Sequence, residues 1–236
     1  MTKKIAILQS CYIPWKGYFD LINLADEFVL FDNVQYTRRD WRNRNLIKTS
    51  NGLQWLTIPV SVKGKYKQLI SETNISNPNW SRKHWNTIKQ FHRKSKFFSA
   101  YEARFEELYL NELASKTALS DINRILITEI NNILGISTLI STAQDYSKMT
   151  GQNERLISIC KESGSSIYIT GPAARGYLDE ELFKAEGISI QWMSYSGYAK
   201  YEQLYGDFEH GVSILDLIFN IGKDAHNYMN SFKQVL

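Results

Sequence analysis

Cysteine is scarce in this chain of 236 residues: there are two, Cys11 and Cys160, far apart and outside any metal-ligand spacing. That excludes a disulfide framework and a zinc site, so neither redox chemistry nor a metal is expected. No run approaches the roughly 18 consecutive apolar residues that a membrane helix needs, and no membrane span is expected. The opening MTKKIAILQS lacks a secretory apolar core and cleavage site, which points to the cytoplasm. Phosphate cradles are missing as well, because neither GxGxxG nor GxxxxGK followed by Ser or Thr occurs. No sequence repeat and no low-complexity linker divides the chain. With 43% apolar residues, a single α/β domain over residues 1–236 is expected.

What the chain does have is charge in one place. Its formal net charge is only +4. Residues 35–104, however, carry 15 Lys and Arg against 3 acids, while the remainder carries 13 basic and 21 acidic groups. A positive field set in an acidic protein focuses anions on one surface. Four of the six tryptophans, Trp41, Trp55, Trp80 and Trp85, lie in the same basic segment. Its densest part is QYTRRDWRNRNLIK, with four arginines and one acid. Guanidinium forks beside aromatic rings suit a planar or phosphorylated partner, since five fixed donors match phosphate oxygens and the plane stacks on rings. The alternative is a solvated basic face over a tryptophan core. If the stretch is extended, Arg38, Arg42 and Arg44 share one face with Asp40, and Arg39, Trp41 and Asn43 share the other. If it is a turn, that alternation does not apply. Structural pairing of these arginines with Asp40 competes with ligand contact.

Along the chain, KIAILQS reads as a strand, CYIPWKG as a loop, YFDLINLAD as a short helix and EFVLFDNVQ as a second strand. This βαβ order presents Gln9–Gly17 at the carboxyl edge of a parallel sheet, where ligands usually sit. LQWLTIPVSV is a further strand. Helical spacing dominates about 80–134, with Ser81 and Asp121 as expected caps and Gly135 as a stop. STLISTA, SIYITG and ISIQWMSY are later strands, separated by the helices of NERLISICKESG and GPAARGYLDEELFKAEG. SILDLIFNIG is a last apolar helix. The expected fold is therefore α/β, a Rossmann-like parallel sheet with a helical insertion. The loop that follows SIYITG offers Thr170, Gly171, Arg175 and Tyr177 to the same edge.

Candidate proton carriers are His84, Asp20 and Asp32. His84 stands between cations and a tryptophan, surroundings that favour the neutral imidazole. His92, His210 and His226 are the other histidines. Asp20 and Asp32 belong to the βαβ unit and are a candidate carboxylate pair, although Asp20 also suits a helix's first turn. Cys11 lies in the candidate loop without an evident base partner.

The stretch from KIAILQSCYIPWKGYFDL through FDNVQYTRRDWRNRNLIK to LQWLTIPV resembles the opening signature of the WbqC-like protein family, and YITGPAARGYLDEELFKAEGISIQWMSY resembles its later one. The matching positions are Gln9, Tyr12, Pro14, Trp15, Gly17, Tyr18, Asp20, Asp32, Gln35, Arg38, Asp40, Trp41, Arg42, Asn43 and Arg44. Ser10 and Cys11 stand where a proline and another small residue are commoner. That family is associated with bacterial O-antigen and other surface-polysaccharide gene clusters. The resemblance implies a cytoplasmic enzyme acting on a nucleotide-linked sugar, with N-acylation of an amino sugar as the suspected activity. It gives no assured catalytic residue and leaves the cofactors unknown.

The order strand, Pro-containing loop, Gly-Tyr, helix, strand is also similar to the nucleotidylyl-transferase arrangement. Those families bind ATP with histidines, where this chain has Trp15, Lys16, Gly17 and Tyr18, so the similarity extends to fold and not to reaction. A non-catalytic RNA-binding module using the basic aromatic patch is the rival expectation. Against it stand the acidic remainder and the lack of RNA-binding motifs.

Overall fold

The computed structural model describes residues 2–235, with side chains through Lys233. Seven strands form among these residues: β1 Lys4–Leu8, β2 Glu27–Leu30, β3 Arg44–Thr49, β4 Gly52–Thr57, β5 Leu139–Thr142, β6 Ile167–Thr170 and β7 Ser189–Trp192. Five of them make a wholly parallel sheet in the order β5-β2-β1-β6-β7. The helices are α1 Lys16–Asn23, α2 Trp80–His92, α3 Phe98–Glu107, α4 Leu119–Leu134, α5 Gln152–Glu162, α6 Glu180–Ala185 and α7 Ile214–Ile221. The Rossmann-like α/β sheet expected from the strand pattern is present.

Strands buried on both faces read as continuous apolar runs because alternate residues feed two separate cores. Ala6, Phe28 and Ile169 join the larger core with α1, α2, α3, α4 and α7. Ile5, Ile7, Val29 and Tyr168 join the smaller one, under α5 and α6. Burying each large aliphatic side chain contributes about 2 kcal/mol. In α4 the buried positions Leu119, Ile122, Leu126, Ile130 and Leu134 recur at helical spacing, and Gly135 closes the helix at φ +72°, a conformation that favours glycine.

Residues 31–138 lie between the adjacent strands β2 and β5 and hold α2, α3 and α4 together with an antiparallel hairpin, β3–β4. The helix starts differ from the expected caps. Helix α2 begins at Trp80 after Asn79, so Ser81 lies inside it and is buried. Helix α4 begins at Leu119 after Ala118, with Asp121 in its first turn. The start of α4 needs no side-chain cap, because the Leu119 N–H donates to Thr73 O and Asn74 pairs with Ala118.

The arginine-rich stretch is a turn up to Arg42 and a strand only from Arg44. Arg39 has φ +60°, and the face-by-face alternation of Arg38, Arg39 and Arg42 does not arise. Strand β3 escapes sequence inspection because RNLIKT mixes polar and apolar residues without a clean period of two.

The chain leaves β1 toward β2 on one side and leaves β6 toward β7 on the other. The strand order thus reverses between β1 and β6, and their carboxyl ends flank a crevice of the kind in which open α/β sheets bind ligands.

Candidate functional site at the reversal of strand order

The loop from β1 to α1 bends back on itself at Ile13, whose φ of +36° is rare for a β-branched residue. Asn45 holds that bend: its Nδ2 donates to Tyr12 O at 3.1 Å and Ile13 O at 3.0 Å. The Tyr12 N–H donates to Trp41 O at 3.0 Å. The glycine-containing corner and the arginine-rich ribbon are therefore stitched together, and they enclose a cleft of about 480 Å³. Cys11, Trp15 and Tyr18 line it from the corner, and Trp41, Arg42 and Asn45 from the ribbon. Ala173, from the turn after β6, contributes as well.

A second and wider cleft, about 720 Å³, opens on the α5 side of the sheet and shares Leu8 with the first. Gln9, Gln35 and Tyr177 line it, together with Phe31, Arg155 and residues 149–152.

Trp41 and Trp55 are the exposed aromatics of the ribbon, 43% and 41% accessible, with ring centroids 5.2 Å apart. The Arg44 guanidinium lies 4.0 Å from the Trp55 ring centre, and Arg44 also donates to Arg39 O. Arg42 is the innermost guanidinium. Its Nη1 donates to Cys11 Sγ at 2.8 Å and Gln9 O at 3.4 Å, while Nη2 lies 3.6 Å from Asp40. Burial nevertheless pushes the Cys11 thiol up to about 12 against the pull of Arg42, so Cys11 rests as a thiol and not as a nucleophilic thiolate. Arg38 donates to Val62 O at 3.0 Å, and Asn43 donates to Ile58 O at 2.7 Å from a buried position. Arg42 is thus held by three groups of the chain, Arg38 and Arg44 donate from one nitrogen each, and Arg39 has no side-chain acceptor among the described residues.

Trp15 packs edge-on against Tyr195 and Tyr198, at 5.4 and 5.8 Å, and its indole lies over Gly17. A Cβ there would fall 2.3 Å from the ring. Gly17→Ala is expected to displace Trp15, to lower stability by about 2 kcal/mol through overpacking and to alter tryptophan emission; unchanged emission and unfolding midpoint would contradict this. Tyr18 donates to Gln9 O at 3.0 Å and fixes the end of β1. Beyond β6, the Thr170 carbonyl accepts from Met193 N, Gly171 begins the next turn, and Arg175 lies over Trp192 at 4.4 Å.

The three candidate proton carriers do not meet. His84 is buried and lines neither cleft. Its Nε2 faces Thr57 O at 3.2 Å, so that nitrogen carries the proton and Nδ1 accepts from Tyr12 OH at 2.8 Å. Tyr109 OH, 2.9 Å from Tyr12 OH, extends the chain inward. Burial lowers the His84 pKa to about 4, against the bond to Thr57. Asp20 is fully buried and holds the backbone N–H groups of Asn230 and Ser231. It shares none of the hydrogen-bond partners of Asp32. Asp32 stands at the carboxyl edge, where Oδ1 accepts from Ser10 N at 2.8 Å. Burial raises its pKa, while the Ser10 bonds and Arg42 oppose the shift. Among the described residues no group of three or more His, Cys, Asp or Glu is arranged to hold a metal, and no helix is long and apolar enough to cross a membrane.

The WbqC-like protein family model matches residues 9–228. The chain belongs to the WbqC-like protein family. The WbqC-like match takes in every candidate residue and all of the lining of both clefts except Ile7 and Leu8. The chain is also 46% identical over 232 residues, 98% of its own length and 100% of the relative's, to the uncharacterized protein Rv1507c of Mycobacterium tuberculosis. No solved structure matches the chain.

Inspection of the sequence alone passes over Asn45, Ala173, Phe31 and Arg155. Asn45 sits in the unrecognised strand β3. Arg155 reads as the polar face of an ordinary amphipathic helix, and only the strand order brings it beside β1.

Proposed function

We propose that this WbqC-like protein is a cytoplasmic transferase or ligase of bacterial surface-polysaccharide biosynthesis, which forms an amide on the amino group of a nucleotide-linked amino sugar. The observation that carries the proposal is the joining of the β1–α1 corner and the aromatic ribbon around one cleft at the reversal of strand order. Indole faces at Trp15 and Trp41 suit the C–H faces of a sugar ring, and the Arg42 guanidinium at the cleft wall suits a developing carbonyl charge.

An ammonium has no lone pair, so the acceptor amine must lose a proton before it attacks. Of the three proton carriers, Asp32 fits that role best: it lies at the carboxyl edge, where burial makes its carboxylate more basic, and it opens onto a smaller cavity of about 260 Å³ next to the cleft wall formed with Ser10 and Arg42. His84 has both ring nitrogens engaged inside the protein, and Asp20 is occupied with the C-terminal segment.

Calorimetry against a panel of UDP-, GDP- and dTDP-linked amino sugars tests the proposal. Wild-type protein is expected to bind at least one of them, and Trp41→Ala to weaken that affinity about tenfold through loss of stacking. Folded protein that binds none of the panel would defeat it. The rival, RNA binding through the exposed Trp41–Trp55 pair, predicts salt-sensitive retention of single-stranded RNA without competition by sugar nucleotides.

A further inference from the structure

The wider cleft on the α5 side is not accounted for by a sugar held between Trp15 and Trp41. Its floor is apolar, from Ile7, Phe31 and Leu156. Arg155 supplies its cation. The guanidinium lies 4.7 Å from the centre of the Phe31 ring, and its Nη2 donates to Asn33 O at 3.0 Å and Asn33 Oδ1 at 2.7 Å. Both bonds leave from one nitrogen. Nη1 and Nε have no protein acceptor, and Arg155 forms no ion pair among the described residues. The guanidinium is thus fixed in place, flat against a ring, with part of its donor fork unused. None of the ribbon's arginines lines this cleft; Arg42 faces the other one, where Gln9, Cys11 and Asp40 engage it.

We propose that the α5-side cleft binds the nucleoside diphosphate half of the substrate, with Arg155 as its phosphate-binding residue, and that the arginine-rich ribbon does not bind the diphosphate. This rests on the nucleotide-linked sugar of the preceding section and places its two halves. The base lies on the apolar floor beside the carboxamides of Gln9 and Gln35, which offer both donors and acceptors. The diphosphate reaches Nη1 and Nε of Arg155, a geometry that favours an oxyanion over a neutral group. The sugar then passes over Leu8, the residue common to both clefts, toward Trp15 and Trp41. The carboxylate of Glu154, folded over Gly151 at the start of α5, is an exposed acid beside this path and repels the incoming diphosphate.

The full chain is titrated with UDP, GDP and dTDP by calorimetry, and the nucleotide that binds wild type most tightly is carried into the variants. Arg155→Met is expected to weaken it by at least about tenfold, and Arg155→Lys to recover part of the loss, because charge returns without the fork. Glu154→Gln, a change at the exposed surface, is expected to tighten binding about threefold. Arg38→Met is expected to leave it within about twofold.

Wild-type binding that survives Arg155→Met, or that falls with Arg38→Met instead, would overturn the placement while leaving a sugar-nucleotide substrate intact. So would weaker binding by Glu154→Gln. No binding of any nucleoside diphosphate by folded wild-type protein would overturn the placement together with the function it rests on.

Discussion

Acidification from pH 6.5 to pH 4 is expected to remove on the order of 5 kcal/mol of folding stability through two buried histidines, His84 and His92. Burial lowers each from 6.5 to about 4. Because the folded-state values are depressed, the unfolded chain binds more protons throughout this window. The contribution is complete above pH 6.5 and is lost as pH falls through the folded-state values. His92 offers the cleaner test, since neither of its ring nitrogens has a partner and its ring packs against Phe219 at 5.4 Å.

His92→Phe should stay within about 1 kcal/mol of wild type at neutral pH and abolish about half of the acid loss. Asp32 and Asp216, whose pKa values burial raises, titrate in the opposite sense and blunt the total. Urea titrations across this pH range provide the measurement. An acid loss unchanged in His92→Phe would show that the histidines are not its source.

Asp20→Ala is expected to cost about 4 kcal/mol, because it strands buried donors without water or partner. The carboxylate accepts from Asn230 N at 3.0 Å, from Ser231 N at 2.9 Å and from the Ser231 hydroxyl. Asp20→Asn, which retains one acceptor oxygen, should cost about half as much. Both variants should leave residues 229–233 more open to proteolysis, and the activity of each folded molecule should follow the wild type. A variant of normal stability that is catalytically dead would instead return Asp20 to the reaction itself.

The fold was legible wherever burial is two-sided. KIAIL, EFVL and IYIT are continuous apolar runs because both faces of β1, β2 and β6 are covered, and Gly135 marks a helix end because the backbone there requires positive φ. The hairpin was harder to see. In β4 only Leu56 is buried, so its apolar residues reflect exposure as much as packing.

The corner and the ribbon were each visible as unusual sequence, and Asp40 as a competitor for Arg42. What the sequence could not convey was direction. Arg39 turns the ribbon at positive φ, and strand order alone brings α5 to the end of β1. For His84 it is burial, and not the neighbouring cations, that lowers its pKa to about 4, and burial cannot be read from one segment of sequence.

The central position of β1 has a consequence for how the chain is made. Ile5 finds its first neighbour at Glu27, within the same early stretch, whereas the opposite edge of β1 waits for residues 167–169. During synthesis the middle strand is therefore half paired, with a hydrophobic edge open until nearly three quarters of the polypeptide has emerged. Nascent or truncated forms ending before β6 are the species most prone to aggregate, and a chaperone that shields strand edges would act on this protein early in its life.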